Sequence, residues 1–272
     1  MNIGKYRHWA RRMFRFVIFA AVSVVCVSPL YAQQYPSRPI KIIVPFGPGG
    51  FTDVAARIIQ KEMQPVLGQP IIIENKPGAG STIGTSEVAK AAPDGYTLVM
   101  ISTAHVISPH LYRSMPYDPI HDFTPVMKLA EGPYVLVVHQ SLPVKNVAEL
   151  IALARAQPDR IDYASSGNGS AQHLVGALFT SMAKAPMNHV PYKGSAQAMN
   201  DVIGGQVKVS FVGVPNALPN LATGKLRALA VSTKKRYHDL PDVPTLDEAG
   251  VPGYDATIWL GLLAPPGTPH DV

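Results

Sequence analysis

The residues best suited to chemistry lie between Pro45 and Asp53. There Pro45-Phe46-Gly47-Pro48-Gly49-Gly50 separates a β-branched run (Ile40, Ile42, Ile43, Val44) from a segment opened by Thr52 and Asp53. A glycine turn between a strand and a helix N-terminus leaves several backbone N–H groups without intrahelical acceptors, at the positive end of the helix dipole. Phe46, Gly49, Gly50 and Thr52 are therefore candidate contacts for a small anion, and a carboxylate is expected. Asp53 admits two readings. It complements the dipole as an ordinary first-turn acid, or it meets a ligand ammonium while the backbone holds the carboxylate, which would suit an amino acid.

Two further loops follow expected strands and so belong at the carboxyl edges of sheets, where open α/β folds bind ligands. Ser102-Thr103-Ala104-His105 follows the third strand, and Ser165-Ser166-Gly167-Asn168-Gly169-Ser170 runs into a helix carrying His173. The second repeats the chemistry of the opening loop: glycines for close backbone approach, hydroxyls for hydrogen bonding, then a helix start. Ser102, Thr103, Ala104, Ser166, Asn168, Gly169, Ser170 and His173 thus join the candidate ligand-binding set. Taken singly, each loop also reads as a plain strand-to-helix connection. His173, on the apolar side of Leu174, Ala177 and Leu178, also suits a structural role.

Other chemistries find less support. The spacing of Gly78-Ala79-Gly80-Ser81 to Gly84 is not that of a dinucleotide fingerprint. No His-Glu-x-x-His or comparable ligand spacing occurs, so neither a metal nor a cofactor is expected. Ser166 or Ser170 with His173 is the one nucleophile-and-base suggestion. It lacks both Gly-x-Ser-x-Gly and a specified acid, so no catalytic residue is expected.

The elements that must position these loops alternate. A helix from Val54 to Leu67, stopped by Gly68, leads to a strand at Ile71-Ile72-Ile73, a helix near Ser81 to Ala91 and a strand at Thr97 to Ile101. An irregular stretch, His105 to Asp122, follows. Val126 to Leu129 and Tyr134 to Val138 read as two strands separated by Glu131-Gly132-Pro133. Alternation then resumes, with helices at Val147 to Ala156, Gln172 to Ala183 and Ala196 to Ile203. The strands of this block lie at Ile161 to Ala164, Asn188 to Val190, Val207 to Val212 and Leu226 to Ser232. Trp259 reads as a buried anchor or a residue of the cleft rim. Two blocks of similar design, broken near residues 131–138, imply two α/β lobes with a hinge of ordered strands.

Composition narrows the function classes. The formal charge of +6 and pI near 9.3 arise at the N-terminus, where Lys5, Arg7, Arg11, Arg12 and Arg15 precede the first acid. The remainder carries 19 basic and 18 acidic residues (24 − 5 against 18), too balanced for a nucleic-acid footprint. After those basic residues comes an apolar run from Phe16 to Val27, then Ser28-Pro29 and Leu30-Tyr31-Ala32. The run is shorter than the roughly 20 residues that span a bilayer and suits a cleavable export signal, with cleavage after Ala32. Arg11-Arg12 faintly resembles a twin-arginine signal, but such pairs are common, so general export is expected. The single cysteine, Cys26, lies within the signal, so the mature chain has no disulfide and no thiol.

Together these segments resemble the Bug family of periplasmic receptors, the solute-binding proteins associated with tripartite tricarboxylate transporters. The matching stretches begin with Tyr35-Pro36-Ser37-Arg38-Pro39-Ile40, Pro45 through Asp53, Glu74 through Gly80 and Pro93-Asp94-Gly95-Tyr96. They continue with Tyr163 to His173, Pro191-Tyr192-Lys193-Gly194, Gly204-Gly205-Gln206-Val207, Pro241 through Thr245 and Ala264 through Pro269. The resemblance implies an α/β, two-lobed periplasmic binding protein-like (type II) fold, each lobe a mostly parallel sheet flanked by helices, joined by hinge strands. Residues 33–132, completed by about 254–272, would form lobe 1, and residues 133–253 lobe 2.

The resemblance also implies a periplasmic, monomeric, non-catalytic receptor. It would close on a di- or tricarboxylate, an acidic amino acid or an aromatic acid, and present it to membrane transporter subunits. Its ligand carboxylate would lie against Phe46 to Asp53, often through ordered water, with Ser165 to Ser170 completing the enclosure and Ser102 to Ala104 lining a wall. A ligand-presenting sensor and a secreted serine hydrolase are the alternatives. Family members usually continue past the Gly-Thr-Pro motif with helices that finish lobe 1, whereas this sequence stops at Val272, so exposed apolar sheet surface is expected there.

Overall fold

The computed structural model describes residues 35–272 apart from residue 159. The export signal, its cleavage point and Cys26 lie outside the described residues. Arg38–Val272 form one compact unit, which holds every element described below.

The first part of this unit runs β1 (Ile40–Val44), α1 (Phe51–Leu67), β2 (Ile71–Asn75), a 3₁₀ turn (Ala79–Ser81), α2 (Thr82–Ala89), β3 (Thr97–Ser102) and α3 (Ala104–Leu111). The continuous apolar runs of β1 and β3 are those of strands covered on both faces. Ile42, Val44 and Met100 pack on α1, while Ile43, Val99 and Ile101 pack on the other face with Val88 and Phe123. β1 pairs in parallel with β2 and β3, so the loops after β1 and β3 leave the same sheet edge. Gly68, at φ 66°, ends α1 as expected.

β4 (Thr124–His139) joins the lobes. Its first part, Thr124 to Pro133, pairs antiparallel with β9 (Thr257–Ala264), and its second, Tyr134 to His139, pairs with β7 (Val209–Gly213) and β8 (Leu226–Val231). The sequence reading broke this strand at Gly132-Pro133, and the structure keeps it whole. The two residues face only β9 (Ile258 and Thr257), where β4 passes from one set of neighbours to the other, so the missing proline N–H breaks no ladder. Ser232 knits this crossing together. Its N–H donates to Tyr134 O, its hydroxyl accepts from Tyr134 N–H and donates to Ala256 O.

The second lobe continues with α4 (Val147–Ala156), β5 (Asp162–Ser165), α5 (Ala171–Ala183), β6 (Asn188–Pro191), α6 (Ser195–Ile203), β7 (Val209–Gly213), α7 (Val214–Ala222) and β8 (Leu226–Val231). β5 lies parallel to β6 and β7. β9 (Thr257–Ala264) returns to the first lobe, antiparallel to β3 and β4. The strands that feed the loops are thus parallel, and the strands connecting the lobes are antiparallel. Two buried clusters flank the second sheet, one around Leu136, Phe179, Phe211 and Tyr254, the other around Val135, Val137, Val202 and Val212.

Three elements escaped the sequence reading: α3, α7 and β9. Both helices contain proline (Pro109 in α3; Pro215 and Pro219 in α7), which masks their periodicity. Pro215 occupies the first turn, where its missing N–H is not needed. The first lobe also shows apolar surface beside β9 and β4, a groove of about 390 Å³ lined by Val106, Ile120, Met127, Trp259 and Leu263 among others. Trp259 therefore stands at this groove rather than at the cleft.

Candidate functional site

Between the lobes lie two cavities that share Phe46 and Ser166 as walls. The inner one, about 30 Å³, has room for a carboxylate head or water and not for a whole ligand. It is lined by Phe46, Gly50, Phe51, Thr52 and Ser102 of the first lobe and by Ser166, Ala171, Gln172, Ser195, Gly213 and Asn216 of the second. Tyr134 and Ile258, from the strands that join the lobes, close it.

These residues share one property. Phe51 and Thr52 begin α1, Ala171 and Gln172 begin α5, Ser195 begins α6, and Gly213 caps α7, with Asn216 in its first turn. Four helix N-termini therefore converge on the inner cavity. Gly50, Gly194 and Gly213 cap three of these helices without a side-chain hydrogen bond, so those first turns keep their N–H groups free of side-chain acceptors. Among the described residues no Asp, Glu, Lys, Arg or His lines the cavity. Tyr134 is neutral, burial and then the neighbouring Tyr254 pushing its pKa far up. Such a chamber favours an anion through dipoles and neutral donors alone, each helix end contributing about 0.3–1 kcal/mol or more when buried.

The jaws touch. A Cβ on Gly47 would come within 3.4 Å of Gly194 Cα, and one on Gly50 within 3.1 Å of Ser195 Oγ. Asn216 Nδ2 donates to Gly49 O across the cleft at 3.0 Å. Glycine at 47 and 50 is thus a condition of contact between the lobes.

Asp53 takes the structural one of its two readings. Its carboxylate is 2% exposed and lines neither cavity. Oδ2 accepts from Gly49 N–H (2.9 Å) and Arg57 Nε (3.0 Å), and Oδ1 accepts from Asn75 Nδ2 (2.9 Å). Burial alone would raise its pKa, but Arg57, Gly49 and Asn75 together outweigh burial and hold it below the ordinary 3.8. The protein's own anion therefore occupies one donor of the opening loop. Asn75, which also donates to Phe46 O at 3.0 Å, fixes the wall between the cavities.

Of the other expected contacts, Phe46, Gly50, Thr52, Ser102 and Ser166 line the inner cavity, and Asn168 and Ser170 line the outer one with Phe46 and Ser166. Gly49, Thr103, Ala104, Gly169 and His173 line neither. Thr103 Oγ1 accepts from Trp259 N–H and donates to Thr257 O, tying β9 to the loop after β3. Ala104 is buried at the start of α3. Gly169 N–H donates to His173 Nδ1 at 3.2 Å, so His173 shapes its loop from behind.

The hydrolase alternative needs a hydroxyl on a histidine ring, and neither Ser166 nor Ser170 supplies one. Ser170 Oγ caps α5 by accepting from His173 N–H. Two Ser–His contacts do occur among the described residues: Ser165 Oγ to His189 Nε2 at 2.6 Å uses a fully buried serine, and Ser141 Oγ to His139 Nδ1 at 2.8 Å is exposed and lines neither cavity. Among the described residues no group of three or more His, Cys, Asp or Glu is placed to hold a metal ion.

Gln172, Ser195 and Asn216 were missed by the sequence reading. Gln172 Oε1 accepts from Ser166 N–H and Ser195 Oγ while its Nε2 donates to Phe211 O, so one amide ties the serine-glycine loop, α6 and β7 together. A polar residue one to three places after a glycine is the only local signal any of them carries.

Residues 55–272 match the family described as tripartite tricarboxylate transporter family receptor. Over 253 residues, 92% of this chain and 77% of the relative, the sequence is 40% identical to Protein BugT of Bordetella pertussis. The fold superposes on R. palustris Rpa4515, solved with adipate, at a TM-score of 0.85 and 41% identity, covering 88% of this chain and 80% of that one. It also superposes on MatC (Rpa3494) from Rhodopseudomonas palustris with bound malate, at a TM-score of 0.82 and 38% identity, covering 86% and 80%. With its two α/β lobes joined through shared strands and its cleft between them, this chain belongs to the tripartite tricarboxylate transporter receptor family.

Proposed function

We propose that this chain is an exported receptor that captures a small carboxylate between its lobes and hands it to a tripartite tricarboxylate-type membrane transporter. The observation that carries this reading is the convergence of four helix N-termini on a cavity without charged side chains. An anion buried there meets fixed donors in a low dielectric, where each is worth more than in water. The adipate and malate of the two structural relatives belong to the same ligand class.

In this reading lobe 1 comprises residues 33–132 with 254–272, and lobe 2 residues 133–253. They open and close by twisting β4 and the crossing held by Ser232. A ligand contacting both jaws shifts that equilibrium toward closure. The signal is cleaved after Ala32, the mature monomer works in the periplasm, and no turnover accompanies binding.

The test is a thermal-shift and urea-stability panel of di- and tricarboxylates, acidic amino acids and aromatic acids. A ligand present at about 100 times its Kd should add roughly 2.7 kcal/mol of stability. A folded sample that responds to none of them would end the carboxylate reading.

A further inference from the structure

Among the described residues the chain passes between the lobes along β4 and along the stretch that enters β9, and the two passages lie side by side. Pro133 pairs with Thr257 of β9 in the first lobe, whereas the next residue, Tyr134, pairs with Gly213 of β7 in the second. On the return, Ala256 is held from the second lobe. Its N–H donates to Ser232 O at 2.8 Å, and its carbonyl accepts from Ser232 Oγ. Thr257, one residue on, is held from the first lobe, its carbonyl accepting from Thr103 Oγ1 at 3.4 Å. On each passage the change of partner therefore falls on a single peptide link, Pro133–Tyr134 on one and Ala256–Thr257 on the other.

Two hydroxyls, one from each lobe, flank those links. Ser232, 1% exposed just after β8, bonds through its N–H and Oγ to both backbone groups of Tyr134, each at 2.9 Å, and through its Oγ and O to both backbone groups of Ala256. It staples the two passages to the second lobe and to each other. Thr103 Oγ1 accepts from Trp259 N–H at 3.1 Å besides donating to Thr257 O, and so anchors the entry of β9 to the loop after β3. A strand gripped on both sides of one link has little freedom to bend anywhere else, and hinges are a few such residues that absorb the φ/ψ change. The staple is made while the jaws touch, as the bond from Asn216 to Gly49 O shows.

We infer that the links Pro133–Tyr134 and Ala256–Thr257 form the pivot of closure, and that Ser232 and Thr103 are positioning residues that set how readily the jaws meet. This deepens the receptor reading and rests on its closure step. Neither hydroxyl residue lines a cavity, so each acts on binding through the fraction of molecules that are shut. An apparent Kd is the intrinsic Kd divided by the competent fraction. Loosening the staple must then raise the apparent Kd and lower the shut fraction by one and the same factor.

The experiment reads the interlobe distance by pulsed electron paramagnetic resonance between spin labels on Lys61→Cys in α1 and Gln197→Cys in α6, both exposed positions. The expected cleavage after Ala32 removes Cys26, so the mature protein carries only the introduced thiols. Ser232→Ala should lower the ligand-free shut fraction about three- to tenfold, the worth of one hydrogen bond, and raise the calorimetric Kd for adipate by the same factor. Thr103→Val should act in the same direction, and it decides the question alone if Ser232→Ala does not fold. Ser210→Ala is the control: this buried serine donates to Ala164 O at 2.9 Å within the second lobe, so its loss should lower the urea midpoint and leave distance and affinity unchanged. Distances unmoved by Ser232→Ala and Thr103→Val, or a loss of affinity without a matching loss of shut fraction, would overturn the pivot and leave carboxylate binding standing. A single distance in every sample, with or without adipate, would overturn closure and pivot together. Folded wild type that bound no carboxylate of the panel would count against the carboxylate reading alone, because the ligand-free distances still decide the pivot.

Discussion

Replacing Asp53 with asparagine tests whether the opening loop is held by an internal anion. The carboxylate accepts three hydrogen bonds, from Gly49 N–H, Arg57 Nε and Asn75 Nδ2. An asparagine has one carbonyl oxygen. If that oxygen keeps Gly49 and Arg57, the new amide faces the Asn75 amide, donor against donor. Turning Asn75 over relieves the clash and forfeits its bond to Phe46 O. Turning the new asparagine over instead strands Gly49 N–H. Every arrangement loses at least one buried bond, and the charge assistance to Arg57 goes as well. A buried orphan donor costs about 1–3 kcal/mol. Arg57 is 51% exposed, so its share is discounted toward the surface range. The sum is about 2–4 kcal/mol, read as a lower urea midpoint at pH 7 with an unchanged slope. Carboxylate affinity should fall too, because Phe46 and Gly49 lose their anchors. The sign with pH follows from the lowered pKa. Asp53's contribution is complete above its ordinary value of 3.8 and lost only as pH falls through the still lower folded value, so wild type and Asp53→Asn should converge in strong acid. A variant within about 0.5 kcal/mol of wild type at pH 7 would refute the reasoning.

Three further outcomes are expected. Asn216→Ala, which removes the bond to Gly49 across the cleft, should weaken carboxylate binding about three- to tenfold in calorimetry while shifting the urea midpoint little. Gly176→Ala places a Cβ 2.3 Å from the buried Tyr163 ring and should cost about 2–3 kcal/mol in thermal unfolding, with ligand contacts untouched. His173 and His189 stack at 3.9 Å, and His189 is pushed down to about 4, first by burial and then by the charge of His173. Because the unfolded chain protonates these rings first, stability should decline as pH falls from about 6.5 toward 4, and His189→Gln should flatten that slope in urea titrations.

The first-lobe strands and the glycine turns were readable because each rests on neighbouring residues: Ile42, Ile43 and Val44 before Phe46 to Gly50, or Tyr163 before Ser165 to Ser170. Phe46, Gly50, Thr52, Ser102 and Ser166 reach the inner cavity for the same reason, since a loop after a parallel strand must leave the carboxyl edge. Gln172, Ser195 and Asn216 depend on three helices meeting, which no local pattern encodes. Prolines at 109, 133, 215 and 219 misled the reading because their effect depends on the neighbour that would have received the missing hydrogen bond. Asp53 was ambiguous for a related reason: its partner Asn75 lies one strand and one helix away.

The uncharged inner cavity has a consequence for the conditions under which the cleft works. A site built on a lysine or histidine would lose hold of its anion when that group deprotonated, and an exposed ion pair would fade as ionic strength rose. Helix ends and hydroxyls do not titrate across the physiological range, and inside a shut cleft mobile ions reach them poorly. The hold on the inner carboxylate should therefore stay nearly constant from mildly acid to mildly alkaline and from fresh to brackish media. Acidity would matter there chiefly through protonation of the ligand itself.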